Sequence, residues 1–233
     1  MKNHFTIPPS IEKRLQAWTD WAERQNKQDF IPKPCITISR EYGCQAYRLA
    51  DALYQQLNSQ VEAEEEWTML DRILLEKVAK KSGYSISELN YVTQNNPSFQ
   101  SMMANLMGPN STKPVKAFNY IRETINYFAK AGNCIIIGRG GVCITQNLTN
   151  VIHVRLIAPM SFKVANIVKS MGLSEKESLA HIEARQGERD KFIKHFTKMN
   201  ISDPNLYHVI INNEKSTIDE MADLIITRLN SLR

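Results

Sequence analysis

The sequence predicts an α/β domain built on a parallel sheet with helices over both faces. Three observations predict it. Short buried-type runs, Ile36–Ser39, Cys134–Ile137 and Val151–Ile157, alternate with longer segments whose apolar residues recur every three or four positions. Strands covered on both faces lose the in-out alternation of a half-exposed sheet, so apolar runs between helices point to parallel pairing. Glycine turns follow two of these strands, at Gly43 within the loop after the first and directly after the second at Gly138-Arg139-Gly140-Gly141. At 233 residues the chain can bury one good-sized core without disulfides.

Each element has its own warrant. Residues 10–26 carry Ile11, Leu15, Trp18 and Trp21 at helical spacing behind Ser10, a good N-cap, and make an N-terminal helical extension over 1–33. Pro32 and Pro34 close the linker, and residues 34–233 form the main domain. The strand at 36–39 feeds a loop and a helix with Leu49, Ala50, Leu53 and Leu57 on one face. A charged loop leads to the short strand Thr68–Leu70, then to a helix closing at Gly83 and another capped by Ser85. Residues 92–115 are rich in Asn, Ser, Pro and Met with weak periodicity, the pattern of a mobile or partly helical insertion. A helix over 115–130 stops at Gly132. After the strands at 134–137 and 151–157, residues 161–199 read as helical and basic, with Ser174 as a cap. A last strand over 207–212 and a helix over 217–232 complete the chain.

Composition narrows the function. The net charge of +5 comes from scattered Lys and Arg with no nucleic-acid module; small polyanionic ligands account for it equally well, and a nucleic-acid partner is not expected. No apolar run is long enough to cross a bilayer, and MKNHFTIPPS lacks the apolar core of a signal peptide, so a cytoplasmic location without a membrane partner is expected. Cys35, Cys44, Cys134 and Cys143 lack C-x-x-C spacing and are expected as reduced thiols. His153 and His195 have no metal-ligand spacing and read as packing or surface residues.

The segment from Pro34 to Leu53 carries the chemistry. A strand, a tight loop and a helix aim backbone N–H groups and the positive helix end at one point, where an anion belongs. The phosphate-loop pattern G-x-x-x-x-G-K-[ST] adds a lysine for phosphate and a hydroxyl for magnesium. Aligned on the helix, its named places hold Arg40, Gln45, Ala46 and Tyr47, with Arg48 one step beyond. The lysine is absent, and Gly43 alone relaxes the turn before Cys44. Arg139, between glycines past a buried strand, can present a bidentate fork to a phosphate, or can be a surface arginine held by a carboxylate. Asp71 and Arg72 follow the short strand, where Asp71 can also cap a helix starting at Ile73. Arg185 and Arg189 lie one turn apart and can face phosphates together; a solvated helix with Glu183 and Glu188 alongside has the same pattern.

Taken in order, ITISREYG, MLDRILLEKVAKKSGYS, IIIGRGG, GLSEKES, GERDKFIKHFT and SDPNLYHVIIN resemble the cytidylate kinase-like family, a branch of the P-loop nucleoside monophosphate kinases, over roughly residues 34 to 230. The resemblance implies a three-layer α/β/α P-loop kinase-like core with a helical lid in 161–199. It also implies transfer of the ATP γ-phosphoryl group to CMP or dCMP with Mg2+. In that pattern Arg139, Arg189 and Arg185 are catalytic. Arg40 and the run Gly43, Cys44, Gln45, Ala46, Tyr47 and Arg48 form the phosphate loop, and Asp71, Arg72, Gly138 and Arg139 bind the acceptor. The chain departs from the family where a Ser-Gly-Gly-Arg run gives way to Cys44-Gln45-Ala46-Tyr47, where Gln186 stands for Asp, and where Asn166 stands for Arg. The competing expectations are a kinase-like nucleotide-binding protein that no longer transfers phosphate, and a protein-interaction module using the Trp18 and Trp21 helix, also the expected surface for a homodimer.

Overall fold

The computed structural model describes residues 33–59, 66–71 and 112–231, with side chains of the first long helix described from residue 118. The expected helix over 10–26 with its two tryptophans, the helices after Leu70 together with Arg72, and residues 92–111 lie outside the described residues.

Five strands form one sheet in which every pairing is parallel: β1 (Cys35–Arg40), β2 (Thr68–Leu70), β3 (Cys134–Ile137), β4 (Val151–Ile157) and β5 (Val209–Asn212). The order is β2-β3-β1-β4-β5. The chain therefore steps to one side of β1 and then to the other, and the crevice opened by such a reversal is where ligands bind in parallel sheets.

Side-chain alternation along the strands divides the core. Ile36, Ile38, Ile135, Ile137, Ile152, Val154 and Leu156 face α1 (Ala46–Asn58) and α6 (Ile218–Asn230), meeting Leu49, Leu53, Met221 and Ile225. Cys35, Cys134, Ile136 and Val151 face α2 (Thr112–Ala131), meeting Ile121, Ile125 and Phe128. The helix layers on both faces follow from strands apolar on both sides. Helix α2 starts at Thr112, three residues before the expected Val115, because Pro114 sits in its first turn, where a missing N–H costs nothing. All four cysteines are free thiols.

The basic helical stretch over 161–199 is two helices, α4 (Met160–Met171) and α5 (Glu175–Thr197), the second starting at the expected Ser174 cap. Gly172 ends α4 at φ +70°, and Ser174 with Glu177 makes a reciprocal capping box that starts α5. The far end of α5 is pinned to the core, with Phe196 stacked on Phe118 at 4.4 Å and Phe192 edge-on to it at 6.0 Å. The short helix α3 (Gly141–Ile144) contributes Val142 and Cys143 to the same contact around Ile193.

Two positions on each central strand are polar although buried. Thr37 and Ser39 of β1 lie in register with His153 and Arg155 of β4. Thr37 Oγ1 and His153 Nδ1 are 2.8 Å apart, while Nε2 of that ring has no hydrogen-bond partner. Burial and the neighbouring His208 push the His153 imidazole down to about 4, so the ring is neutral at pH 7. Arg155 ties the sheet to the loop before β5, donating to Ile201 O at 2.8 Å and Ser202 Oγ at 3.2 Å.

Candidate functional site

Beyond the carboxyl ends of β1 and β3 lies a cavity of about 760 Å³. One wall is the loop from Arg40 to α1. Gly43 takes φ +95°, and a Cβ there would stand 2.7 Å from Lys163 Cβ and 3.0 Å from Lys163 Cα. Only glycine allows α4 to approach so closely. The first loop carboxylate, Glu41, meets Lys163 Nζ at 2.9 Å and accepts from Ala158 N at 3.3 Å.

Neutral amide side chains hold the rest of the loop. Tyr42 N donates to Gln186 Oε1 at 2.7 Å, and Gln45 N donates to Asn213 Oδ1 at 2.7 Å. Asn166 Nδ2 donates to Gly43 O at 3.0 Å, and Gln45 Nε2 donates to Asn166 Oδ1 at 3.3 Å. Cys44 N turns back to Glu41 O at 3.3 Å. Three of these residues, Gln45, Asn166 and Gln186, are the positions singled out above as departures, and they are coupled through one loop.

The second wall is the turn after β3. Gly138, Arg139 and Gly140 take φ +71°, +55° and +71° in succession. For Arg139 this left-handed conformation costs about 1–2 kcal/mol. Such strain persists only where the surroundings impose it, and it gathers at ligand sites. Arg40 packs its guanidinium directly against Gly138, in space that a Cβ would fill. Gly140 lies against Ile193 of α5 at 3.2 Å, reckoned from the same added Cβ.

Helix α5 forms the third wall and is docked on the loop through Tyr42. The Arg189 guanidinium lies 4.6 Å from the Tyr42 ring centre, Tyr42 Oη is within 3.0 Å of His181 Nε2, and Gln186 holds the Tyr42 backbone. Gln186 Nε2 also donates to Asp190 Oδ1 at 2.8 Å. Arg185 meets Glu188 at 3.0 Å, so its charge is paired along the helix.

Electrostatically the cavity favours an anion. Among the described lining residues six cations (Arg40, Arg48, Arg139, Lys169, Arg185 and Arg189) face three carboxylates (Glu41, Glu188 and Asp190). Burial, with the nearby Arg40 and Arg139, pushes the Arg189 guanidinium down to about 9. The group stays charged at neutral pH; its burial is the larger cause of the shift and the neighbouring cations the smaller, and a bound anion would offset both. Burial lowers Arg40 in the same way, and burial raises Asp190.

The structure brings most of the expected residues together. Arg40, Gly43, Cys44, Gln45, Tyr47 and Arg48 line the cavity from the loop side, and Gly138, Arg139, Arg185 and Arg189 line it from the other two walls. Ala46 borders it with a side chain that belongs to the core. Asp71 sits at the end of β2 and is not among the described lining residues; Arg72 lies outside the described residues. Sequence reasoning missed Tyr42, Glu41, Asp190 and Asn213. Only Tyr42 and Glu41 had a signal, their place in the loop beside Gly43.

Do these residues suit a magnesium triphosphate in the usual loop position? With α5 docked, the N–H groups of Tyr42, Cys44 and Gln45 are already bonded within the protein. The place of the magnesium-binding hydroxyl holds the exposed phenol of Tyr47, and Glu41 is neutralised by Lys163. No group of three acidic, His or Cys side chains able to hold a metal occurs among the described residues. The loop in this conformation does not fit the metal.

The sequence matches the cytidylate kinase-like family over residues 35–215. The chain belongs to that family. No curated protein matches it. Among solved structures, an uncharacterized protein from Eubacterium ventriosum superposes with a TM-score of 0.62 at 21% identity, over 85% of this chain and 99% of that one. A shikimate kinase from Bacteroides thetaiotaomicron gives a TM-score of 0.47 at 14% identity, over 84% of this chain and 98% of that one. Family membership and the all-parallel sheet make this an α/β kinase-like fold. As a cytidylate kinase-like protein it keeps a cationic cavity at the sheet edge while holding its loop with amides. Among the described residues no helix is long and apolar enough to cross a membrane.

Proposed function

We propose that this cytidylate kinase-like protein binds the phosphate of a nucleoside monophosphate, CMP or dCMP in the family's pattern, and transfers the γ-phosphoryl group of ATP to it. The observation that carries the reading is the convergence of Arg40, Arg139 and Arg189 on one cavity beyond β1 and β3. Phosphoryl transfer asks little covalent chemistry of a protein; it needs the phosphates positioned and their charge neutralised. Arg139 supplies a guanidinium on a strained turn, and Arg189 brings a second from α5. Entry of a triphosphate to the loop requires α5 to let go of Tyr42, because Gln186 occupies its N–H in the docked state.

A second reading, nucleotide binding without transfer, is favoured by the committed loop amides and by Tyr47 in the hydroxyl's place. Transfer from ATP to a panel of nucleoside monophosphates, with Arg139→Ala beside the native chain, separates the two. Turnover on CMP or dCMP lost in the variant supports the kinase. Calorimetric nucleotide binding without turnover supports the second reading, and the absence of both refutes the pair.

A further inference from the structure

Helix α5 is attached differently on the two sides of Gly187. After that residue it is anchored in the core, with Phe192 and Phe196 packed on Phe118 and Ile193 buried against Val142 and Cys143. Before it, the helix meets the phosphate loop at Tyr42, whose N–H donates to Gln186 Oε1 at 2.7 Å and whose hydroxyl lies 3.0 Å from His181 Nε2. Gly187 stands between the anchor and this contact, and packing does not explain it. A Cβ there would meet nothing within 4 Å. Inside a helix glycine is the least favourable residue after proline, so the chain keeps a soft point where alanine would fit. Glycine is one of the few residues at which helices bend.

The oxygen that Gln186 sets on the loop takes the place of a ligand oxygen. It satisfies an N–H of a strand–loop–helix turn that an anion would otherwise engage. A lid ordinarily completes a site as it closes. Here the docked helix fills the donor, so docking acts with the opposite sign.

We propose that α5 is an autoinhibitory latch hinged at Gly187. Residues 175–186 pivot off Tyr42 to open the loop to a nucleoside triphosphate, while the anchored half keeps Arg189 in the cavity. This rests on the reading above only in taking a nucleoside triphosphate for the loop's ligand. It adds what holds the loop shut and where the helix gives.

Two neighbouring substitutions in the full chain should move ATP affinity in opposite directions, read by calorimetry. Gln186→Ala removes the latch oxygen without changing charge; it should bind ATP about 2–10-fold tighter and yet melt at a lower temperature. Gly187→Ala stiffens the joint; it should melt about 2–4 °C higher and bind ATP about fivefold more weakly, because alanine favours the straight helix over the bent one. A merely structural pair would change the melting temperatures and leave ATP binding alone. Gln146→Ala supplies that comparison, since Gln146 Nε2 donates to Leu206 O at 3.0 Å outside the cavity; it should lose stability with no change in ATP binding. Amide exchange on the native chain needs no variant. With ATP bound, residues 187–190 should exchange faster, because bending breaks the hydrogen bonds across Gly187, while residues 193–197 keep their protection.

ATP binding no tighter in Gln186→Ala, no weaker in Gly187→Ala, or unchanged exchange across Gly187 overturns the latch, and the native chain's own ATP binding then leaves the nucleotide reading standing. Tighter binding in Gln186→Ala without transfer to any monophosphate keeps the latch and removes the kinase reading. No ATP binding by the native chain or by either variant overturns both.

Discussion

Replacing Gly43 by alanine tests how the loop is seated. Alanine at φ +95° pays about 1–2 kcal/mol for a left-handed backbone. Its Cβ would also meet Lys163 Cβ at 2.7 Å and Cα at 3.0 Å, and neither atom is the free end of a side chain. Forcing a helix away from a packed loop adds about 1–3 kcal/mol, so the expected total is about 2–5 kcal/mol. Gly172→Ala isolates the backbone part, because Gly172 has φ +70° and a Cβ there meets nothing within 4 Å. Urea unfolding of both variants gives the comparison, provided the slopes agree with the native protein. Gly43→Ala should lose about 1–3 kcal/mol more than Gly172→Ala. Equal losses would refute the contact between the loop and α4, and with it the account of why glycine is needed there.

Two further expectations concern groups that sequence alone would pass over. His153 titrates at about 4 instead of 6.5, so between those values the unfolded chain binds the extra proton. Stability is therefore full above pH 6.5 and falls as the pH drops towards 4, by about 3 kcal/mol for this ring. His153→Gln should flatten that part of a urea-against-pH profile, and an unchanged acid limb would deny the ring its neutral, buried state. Gln186→Glu keeps an acceptor for Tyr42 N but sets a carboxylate against Asp190 where an amide now donates at 2.8 Å. The variant should lose stability at pH 7 and regain it towards pH 5 as the acid pair takes up a proton; a loss independent of pH would mean that the two side chains do not meet.

How much of this was legible in the chain depends on the range of the interaction. The apolar runs of β1, β3 and β4, the glycine turns after β1 and β3, and the Ser174 cap could be read because each is decided within a few residues by strand burial, backbone sterics or a capping hydrogen bond. From these came the parallel sheet, in which turns that follow parallel strands, at Gly43 and at Arg139, fall on the same edge. The boundary between α4 and α5 was harder, since both sides of Gly172 are helical and only its positive φ breaks the run. Reading β1 and β4 as simply buried hid Thr37, Ser39, His153 and Arg155, which meet only because the two strands pair in that register.

The character of the site was decided by tertiary structure. In the sequence Asn166 and Gln186 look like separate losses of charge and Gln45 like a lost glycine, yet together with Asn213 they join across separations of 121 to 168 residues to hold one loop. Likewise nothing local tells Arg185, paired within its helix, from Arg189, which lies over Tyr42. The amino-acid sequence by itself determined the α/β class and the family, because strand and helix patterns and turn residues are local. Which cations keep their charge for a ligand, and which backbone amides are already taken, follow from the strand order β2-β3-β1-β4-β5 and the docking of α5, which bring distant side chains within hydrogen-bonding distance.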